Sequence, residues 1–216
     1  MPPKAVICDM DGLLLDTERL SEQSFTECCK AFNLKFNAQL FAELTGQSGS
    51  AHLRILGKFM PDTAQEFDSR WKQIYHQMLA EGVPVKAGIP EFLAKMQDAD
   101  ITLAVATSSR TEKAEDYLGR AGLAGYFGYI LGSDLVCYAK PAPDVYLLAL
   151  EKLGLPAASA MVLEDSNNGV TAALASHIRT IHLPDRQTPA LAFADNALYH
   201  LADNLAMAEL LIFQAE

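Results

Sequence analysis

Basic residues are scarce in this chain: 17 Lys and Arg stand against 27 Asp and Glu, a formal net charge of −10. Nucleic acids and anionic membranes both need a basic surface to meet their phosphates, so neither is an expected partner. A small anionic substrate stays open, because one site can be locally positive on an acidic protein. Long apolar runs are missing as well. None approaches the ~20 residues of a membrane span, and the N-terminus enters an acidic strand without the pattern of a secretory leader. The four cysteines, Cys8, Cys28, Cys29 and Cys137, form no CxxC pair. Reduced thiols and a cytoplasmic compartment are therefore expected. The five histidines are scattered, with no spacing that reads as zinc. Internal repeats and low-complexity tracts are absent too. What remains is a globular composition, 50% hydrophobic and 20% charged, with enough apolar residues for one large domain or one domain plus a small second one.

The chain is organised around Lys4-Ala5-Val6-Ile7-Cys8-Asp9-Met10-Asp11-Gly12. A short apolar run, β-branched at its centre, leads into two carboxylates and a glycine, which reads as a buried strand ending in charge. Side chains at i and i+2 of an extended segment point the same way, so Asp9 and Asp11 can face one site. Two anions that close repel each other, and a divalent cation relieves the repulsion; oxygen ligands of this kind suit Mg²⁺. Asp-x-Asp-Gly arises by chance in about one chain in twenty of this length, so partners downstream have to carry the argument.

From residue 17 to residue 83 the signals are helical. Phe25, Cys28, Cys29 and Phe32 share one helical face, and Phe67, Trp71, Ile74, Tyr75, Met78 and Leu79 form a longer stripe. Between them Gly46-Gln47-Ser48-Gly49-Ser50 reads as a polar loop. From Gly88 onward helix and strand alternate. Strands are expected at Ile101–Ala106, Tyr129–Gly132, Ala160–Leu163 and Arg179–Leu183, with helices around Ile89–Met96, Ala114–Ala121 and Tyr146–Leu153, the last capped by Gly154. A closing helix is expected near Ala206–Phe213. That alternation predicts an α/β fold with a doubly wound parallel sheet. The expected domains are a Rossmann-like core of residues 1–15 and 87–216, and a helical insertion of residues 16–86.

Three buried strands end in polar groups: Asp9 and Asp11, Thr107 and Ser108, Glu164 and Asp165. In a parallel sheet these ends converge where open α/β sheets bind ligands. Lys140-Pro141-Ala142-Pro143-Asp144 adds a lysine on a proline-locked loop before a helix. Together they make a phosphoryl-transfer kit: a carboxylate to attack phosphorus, carboxylates for a metal, and an ammonium, hydroxyls and backbone N–H groups for the remaining oxygens. Each piece also has a plain structural reading. Thr107-Ser108-Ser109 can cap the next helix, Lys140 can be a solvated lysine, and Asp165 or Ser166 can cap a strand-to-helix turn.

Asp9-Met10-Asp11-Gly12, then Thr107-Ser108, then Lys140-Pro141, then Glu164-Asp165-Ser166-Asn167-Asn168-Gly169 resembles the four ordered motifs of the haloacid dehalogenase superfamily. More narrowly it resembles the β-phosphoglucomutase and phosphoglycolate phosphatase branch, whose small helical cap matches Asp16-Thr17-Glu18 and the helical insertion. The resemblance covers nearly the whole chain. It implies Asp9 as a nucleophile that becomes an aspartyl-phosphate, and Asp11 as the acid and then the base. It implies Thr107, Ser108 and Lys140 around the phosphate. It also implies Mg²⁺ held by Asp9, the Asp11 carbonyl and Asp165, with Glu164 supporting the metal. Asp11 argues against dehalogenation, since true dehalogenases of the superfamily lack it.

The resemblance therefore implies a Mg²⁺-dependent phosphatase acting on a small phosphorylated metabolite, monomeric or a small homo-oligomer. A β-phosphoglucomutase-type phosphomutase is the alternative, weakened by Ser21 and Gly49 standing where such mutases tend to carry His and Arg. A non-catalytic phospho-receiver or binding module is a third reading, disfavoured by the second carboxylate and the cap. Gly46, Gln47, Ser48 and His52 are the candidate substrate contacts of the cap, with His52 and Arg54 also readable as exposed helix residues. Ala175-Ser176-His177 departs from the Ala-Gly usual in the branch, a difference expected to affect a turn.

Overall fold

The computed structural model describes residues 2–45 and 50–214. In chain order these form β1 (Ala5–Cys8), α1 (Thr17–Ala31), α2 (Ala38–Leu44), α3 (Ser50–Phe59), α4 (Ala64–Glu81), α5 (Ile89–Asp98), β2 (Thr102–Ala106), α6 (Thr111–Arg120), β3 (Tyr129–Leu131), α7 (Asp144–Leu153), β4 (Ala160–Glu164), α8 (Asn167–Ala175), β5 (Arg179–His182), β6 (Tyr199–Leu201) and α9 (Leu205–Phe213). They divide into two compact units: Met1–Leu15 with Val85–Glu216, and Asp16–Pro84.

The first unit holds a six-stranded sheet in the order β3-β2-β1-β4-β5-β6, parallel throughout. β1 lies between β2 and β4, with Cys8 beside Val105 and Leu163. Its Ala-Val-Ile-Cys sequence has no polar face because it is covered on both sides. Ile7, Ala104, Ala106 and Val162 pack under Tyr146 and Ala149 of α7 and Ala172 and Ala173 of α8. The intervening Val6, Leu103 and Val105 point to the opposite face and are equally buried. Helix ends follow local chemistry: Ser166 caps α8 by accepting from Gly169 N, and Gly154 ends α7 at φ 64°.

The second unit is built from α1 to α4. Its core gathers Phe25, Cys28 and Cys29 of α1, Leu40 and Phe41 of α2, Leu56 of α3 and Phe67 and Trp71 of α4. The Trp71 indole lies edge-on to Phe25, 5.1 Å between centroids, and donates from Nε1 to Ser24 Oγ at 2.9 Å.

Three local features differ from the sequence expectation. The second crossing falls at Pro84–Val85 instead of 86–87, because Val85 bridges to Leu15 and Lys86 N donates to Leu14 O within the first unit. β6 was not expected: Tyr199-His200-Leu201 has no buried run, and it is a strand because it pairs with β5. Thr107-Ser108-Ser109 does not cap α6. The capping acceptor is Asp134 Oδ1, 2.6 Å from Thr111 N. Among the described residues, no helix is long and apolar enough to cross a membrane.

Candidate active site

Four segments of the first unit carry the polar residues of the candidate site. Asp9 directly follows β1, Thr107 directly follows β2, Glu164 ends β4 with Asp165 next, and the loop before α7 presents Lys140. Lys140 is the hub. Its Nζ donates to Asp9 Oδ1 at 2.6 Å, to Glu164 Oε1 at 2.7 Å and to Ala106 O at 2.8 Å. An ammonium has three N–H groups, and all three are directed at protein acceptors. The Tyr146 ring lies beneath the ammonium, 4.8 Å from Nζ to its centroid, and its hydroxyl donates to Glu164 Oε1 at 3.3 Å. The Lys140 side chain is only 3% exposed, so the solvated-lysine reading does not hold.

Glu164 is fully buried and accepts on both oxygens. Besides Lys140 and Tyr146 at Oε1, its Oε2 accepts from Ser166 N at 2.7 Å and Ser166 Oγ at 3.0 Å. Two glycines make room for these carboxylates. A Cβ on Gly169 would overlap the Glu164 carboxylate. A Cβ on Gly12, which also sits at φ 90°, would overlap Asp165 Oδ2.

Asp9, Glu164 and Asp165 are buried, with one oxygen of each lying within 4.8 Å of the others. When all are ionised, three carboxylates against the one Lys140 ammonium leave two negative charges in excess. Burial pushes the Asp9 carboxyl up to about 7, with Glu164 adding to the rise and Lys140 opposing it. Burial likewise holds Asp165 well above the usual carboxylate range, helped by Glu164 and Asp9. Burial alone would lower Lys140, but Asp9 and Glu164 outweigh it and hold the ammonium well above its ordinary value. An all-oxygen donor set with two uncompensated charges fits a hard divalent cation.

Asp11 is half-buried. Its Oδ2 accepts from Ser109 Oγ at 2.8 Å, and Lys113 Nζ donates to that hydroxyl at 3.2 Å. Thr107 is buried, and its Oγ1 accepts from Ser109 N at 3.1 Å, so β2 turns sharply here. Ser108 is exposed. Four more residues take part that no sequence motif singles out: Ser109 at Asp11, Tyr146 and Ser166 at Glu164, and His182 at the Asp165 carbonyl. Ser109 was legible as the residue two beyond Thr107. Tyr146 read as one more apolar residue on a helix face, and its hydroxyl carried no separate signal.

The candidate cap contacts belong to the other unit. Gly46, Gln47 and Ser48 lie outside the described residues, as does Gly49. His52 is not an exposed helix residue: its side chain is 13% exposed and stacks on Trp71 at 5.2 Å, with Nδ1 3.3 Å from Asp68 Oδ1 and Nε2 3.1 Å from Leu44 O. Arg54 is exposed.

Residues 6–183 match the model of the haloacid dehalogenase-like hydrolase family. A phosphorylated carbohydrates phosphatase of Thermotoga maritima is 32% identical over 181 residues, covering 83% of this chain and 84% of that one. The crystal structure of a β-phosphoglucomutase homologue from the same organism superposes with a TM-score of 0.77 at 29% identity, covering 92% of this chain and 94% of that one. A variant of CbbY from Rhodobacter sphaeroides, in complex with xylulose-(1,5)bisphosphate, superposes with a TM-score of 0.71 at 28% identity, covering 96% and 99%.

Proposed function

The chain belongs to the haloacid dehalogenase-like hydrolase family, and from that premise we propose that it is a Mg²⁺-dependent phosphatase of a small phosphorylated sugar, working through an aspartyl-phosphate. One observation carries the reading. Asp9 is held by Lys140 inside a buried carboxylate cluster, and a second carboxylate, Asp11, stands two residues on with its own hydrogen-bond support.

The steps follow from the residues. A carboxylate oxygen of Asp9 attacks phosphorus, an O–P bond forms, and the bond from phosphorus to the sugar oxygen breaks. Asp11 gives that oxygen its proton. Asp11, now a carboxylate, takes a proton from a water that attacks phosphorus, the Asp9 O–P bond breaks and inorganic phosphate leaves. Lys140 fixes the Asp9 oxygen it donates to, leaving the other carboxylate oxygen to react. Thr107 and the exposed Ser108 stand at the end of β2 as phosphate donors. Asp9, Asp165 and the Asp11 carbonyl would hold Mg²⁺, which when bound offsets the charge on the transferring phosphoryl group. Glu164, with both oxygens taken up, acts by fixing Lys140 and the turn into α8.

A sugar phosphate is supported by the Thermotoga relative, named for phosphorylated carbohydrates, and by the sugar bisphosphate in the CbbY complex. The test is phosphate release from a panel of sugar phosphates, xylulose 1,5-bisphosphate, phosphoglycolate, nucleoside monophosphates and an aryl phosphate. Release is expected with Mg²⁺, is lost with EDTA, and is lost in Asp9→Asn. An Asp9→Asn protein of full activity would remove the nucleophile from the scheme. Conversion of β-glucose 1-phosphate without net phosphate release would favour the mutase.

A further inference from the structure

The proposed mechanism leaves a buried histidine beside the site unused. His182 closes β5 with none of its surface exposed. Its Nε2 lies 3.1 Å from the backbone carbonyl oxygen of Asp165, and its Nδ1 lies 3.1 Å from the Tyr199 hydroxyl. A carbonyl can only accept, so Nε2 carries the hydrogen; Nδ1 is then the acceptor and Tyr199 donates to it. The Phe193 and Tyr199 rings stand edge-on to the imidazole at 6.2 and 5.9 Å and hold its plane.

The consequence lies one bond away. The peptide joining Asp165 to Ser166 is gripped at both ends: its carbonyl by His182, and its N–H by Glu164 Oε2 at 2.7 Å. A peptide is planar, so two hydrogen bonds at opposite ends fix its rotation. That plane sets the backbone from which the Asp165 carboxylate projects. On its other side the carboxylate is confined by Gly12. We propose that His182, oriented by Tyr199, is a positioning residue for the divalent-cation site: it locks the Asp165–Ser166 peptide so that Asp165 meets Asp9 at ligand spacing. The device spans β4, β5 and β6, so the short edge strand gains a reason to be there. Partners that orient metal ligands in this way typically change metal affinity by about 10–100-fold when removed.

The inference rests on the cation reading above, and the experiment separates the two. Mg²⁺ and Mn²⁺ are titrated calorimetrically into the metal-free full-length protein, with no substrate present. The proteins are wild type, Asp165→Asn, His182→Leu, His182→Gln and Tyr199→Phe, each checked for folding by circular dichroism. His182→Leu is expected to bind at least about tenfold more weakly, while His182→Gln, whose amide N–H can reach the same carbonyl, stays within about threefold of wild type. A folded His182→Leu protein with wild-type affinity would overturn the inference, as would a Gln variant as weak as the Leu one. If His182→Leu does not fold, Tyr199→Phe decides: weakened binding supports the assignment and unchanged binding overturns it. If wild type takes up no cation, or Asp165→Asn binds as tightly as wild type, the cation reading fails and this inference falls with it.

Discussion

Lys140 neutralises part of the carboxylate cluster, donating to both Asp9 and Glu164. Truncating it to Ala strands two carboxylates away from water, which in comparable buried pairs is worth about 3–5 kcal/mol of stability. Lys140→Ala is therefore expected to unfold at markedly lower urea and to release no phosphate, and an unchanged midpoint would contradict the hub role. Asp9 gives a pH prediction. Its folded value of about 7 lies above the ordinary 3.8 because burial disfavours the charge. Between those values the native state keeps a proton that the unfolded chain has shed, so this group's contribution to metal-free stability is full below about pH 4 and lost as pH rises through about 7. A cation needs the carboxylate, so binding should tighten from about pH 6 to about pH 8. Titration of the metal-free protein at the two pH values checks it, and equal affinity would count against Asp9 as a ligand. At this scale the sequence was informative for charged residues that follow a buried strand or a proline-locked loop. It was silent on Tyr146 and His182, whose roles depend on which atoms the tertiary fold sets beside them.

Element ends show the same division. The cap of α7 at Gly154 and the Ser166 cap of α8 were readable, since each follows from a local rule about glycine or a hydroxyl. β6 was not readable, because two half-buried residues and an exposed leucine carry no period and the strand exists through its partner β5. The departure at Ala175-Ser176-His177 lies between these cases. The sequence flagged a turn, and the structure shows His177 at φ 59° just past α8, with Ile178 N donating back to Ala173 O. A side chain held in the left-handed region costs about 1–2 kcal/mol relative to the right-handed one, and glycine avoids most of that. His177→Gly is expected to raise stability by about 1 kcal/mol without changing cation binding. A urea midpoint that falls would mean the imidazole makes a compensating contact.

The two compact units have separate cores, and their probes are separate too. Trp71, the only tryptophan, is buried in the unit Asp16–Pro84 beside Phe25, Phe41 and His52. The carboxylates Asp9, Glu164 and Asp165 all belong to the other unit. Anything that binds the folded form alone stabilises it by mass action, by about 2.7 kcal/mol at a hundredfold excess over Kd. A divalent cation should therefore raise the thermal transition seen by far-UV circular dichroism, and Asp165→Asn should abolish the shift. Trp71 fluorescence followed in the same samples reports the helical unit. Chains of several domains commonly depart from all-or-none unfolding, because each core melts on its own terms. The expected outcome is a cation-dependent rise in the dichroism transition and a fluorescence midpoint that stays put. Coincident shifts in both signals would instead mean that the two units unfold as one cooperative structure.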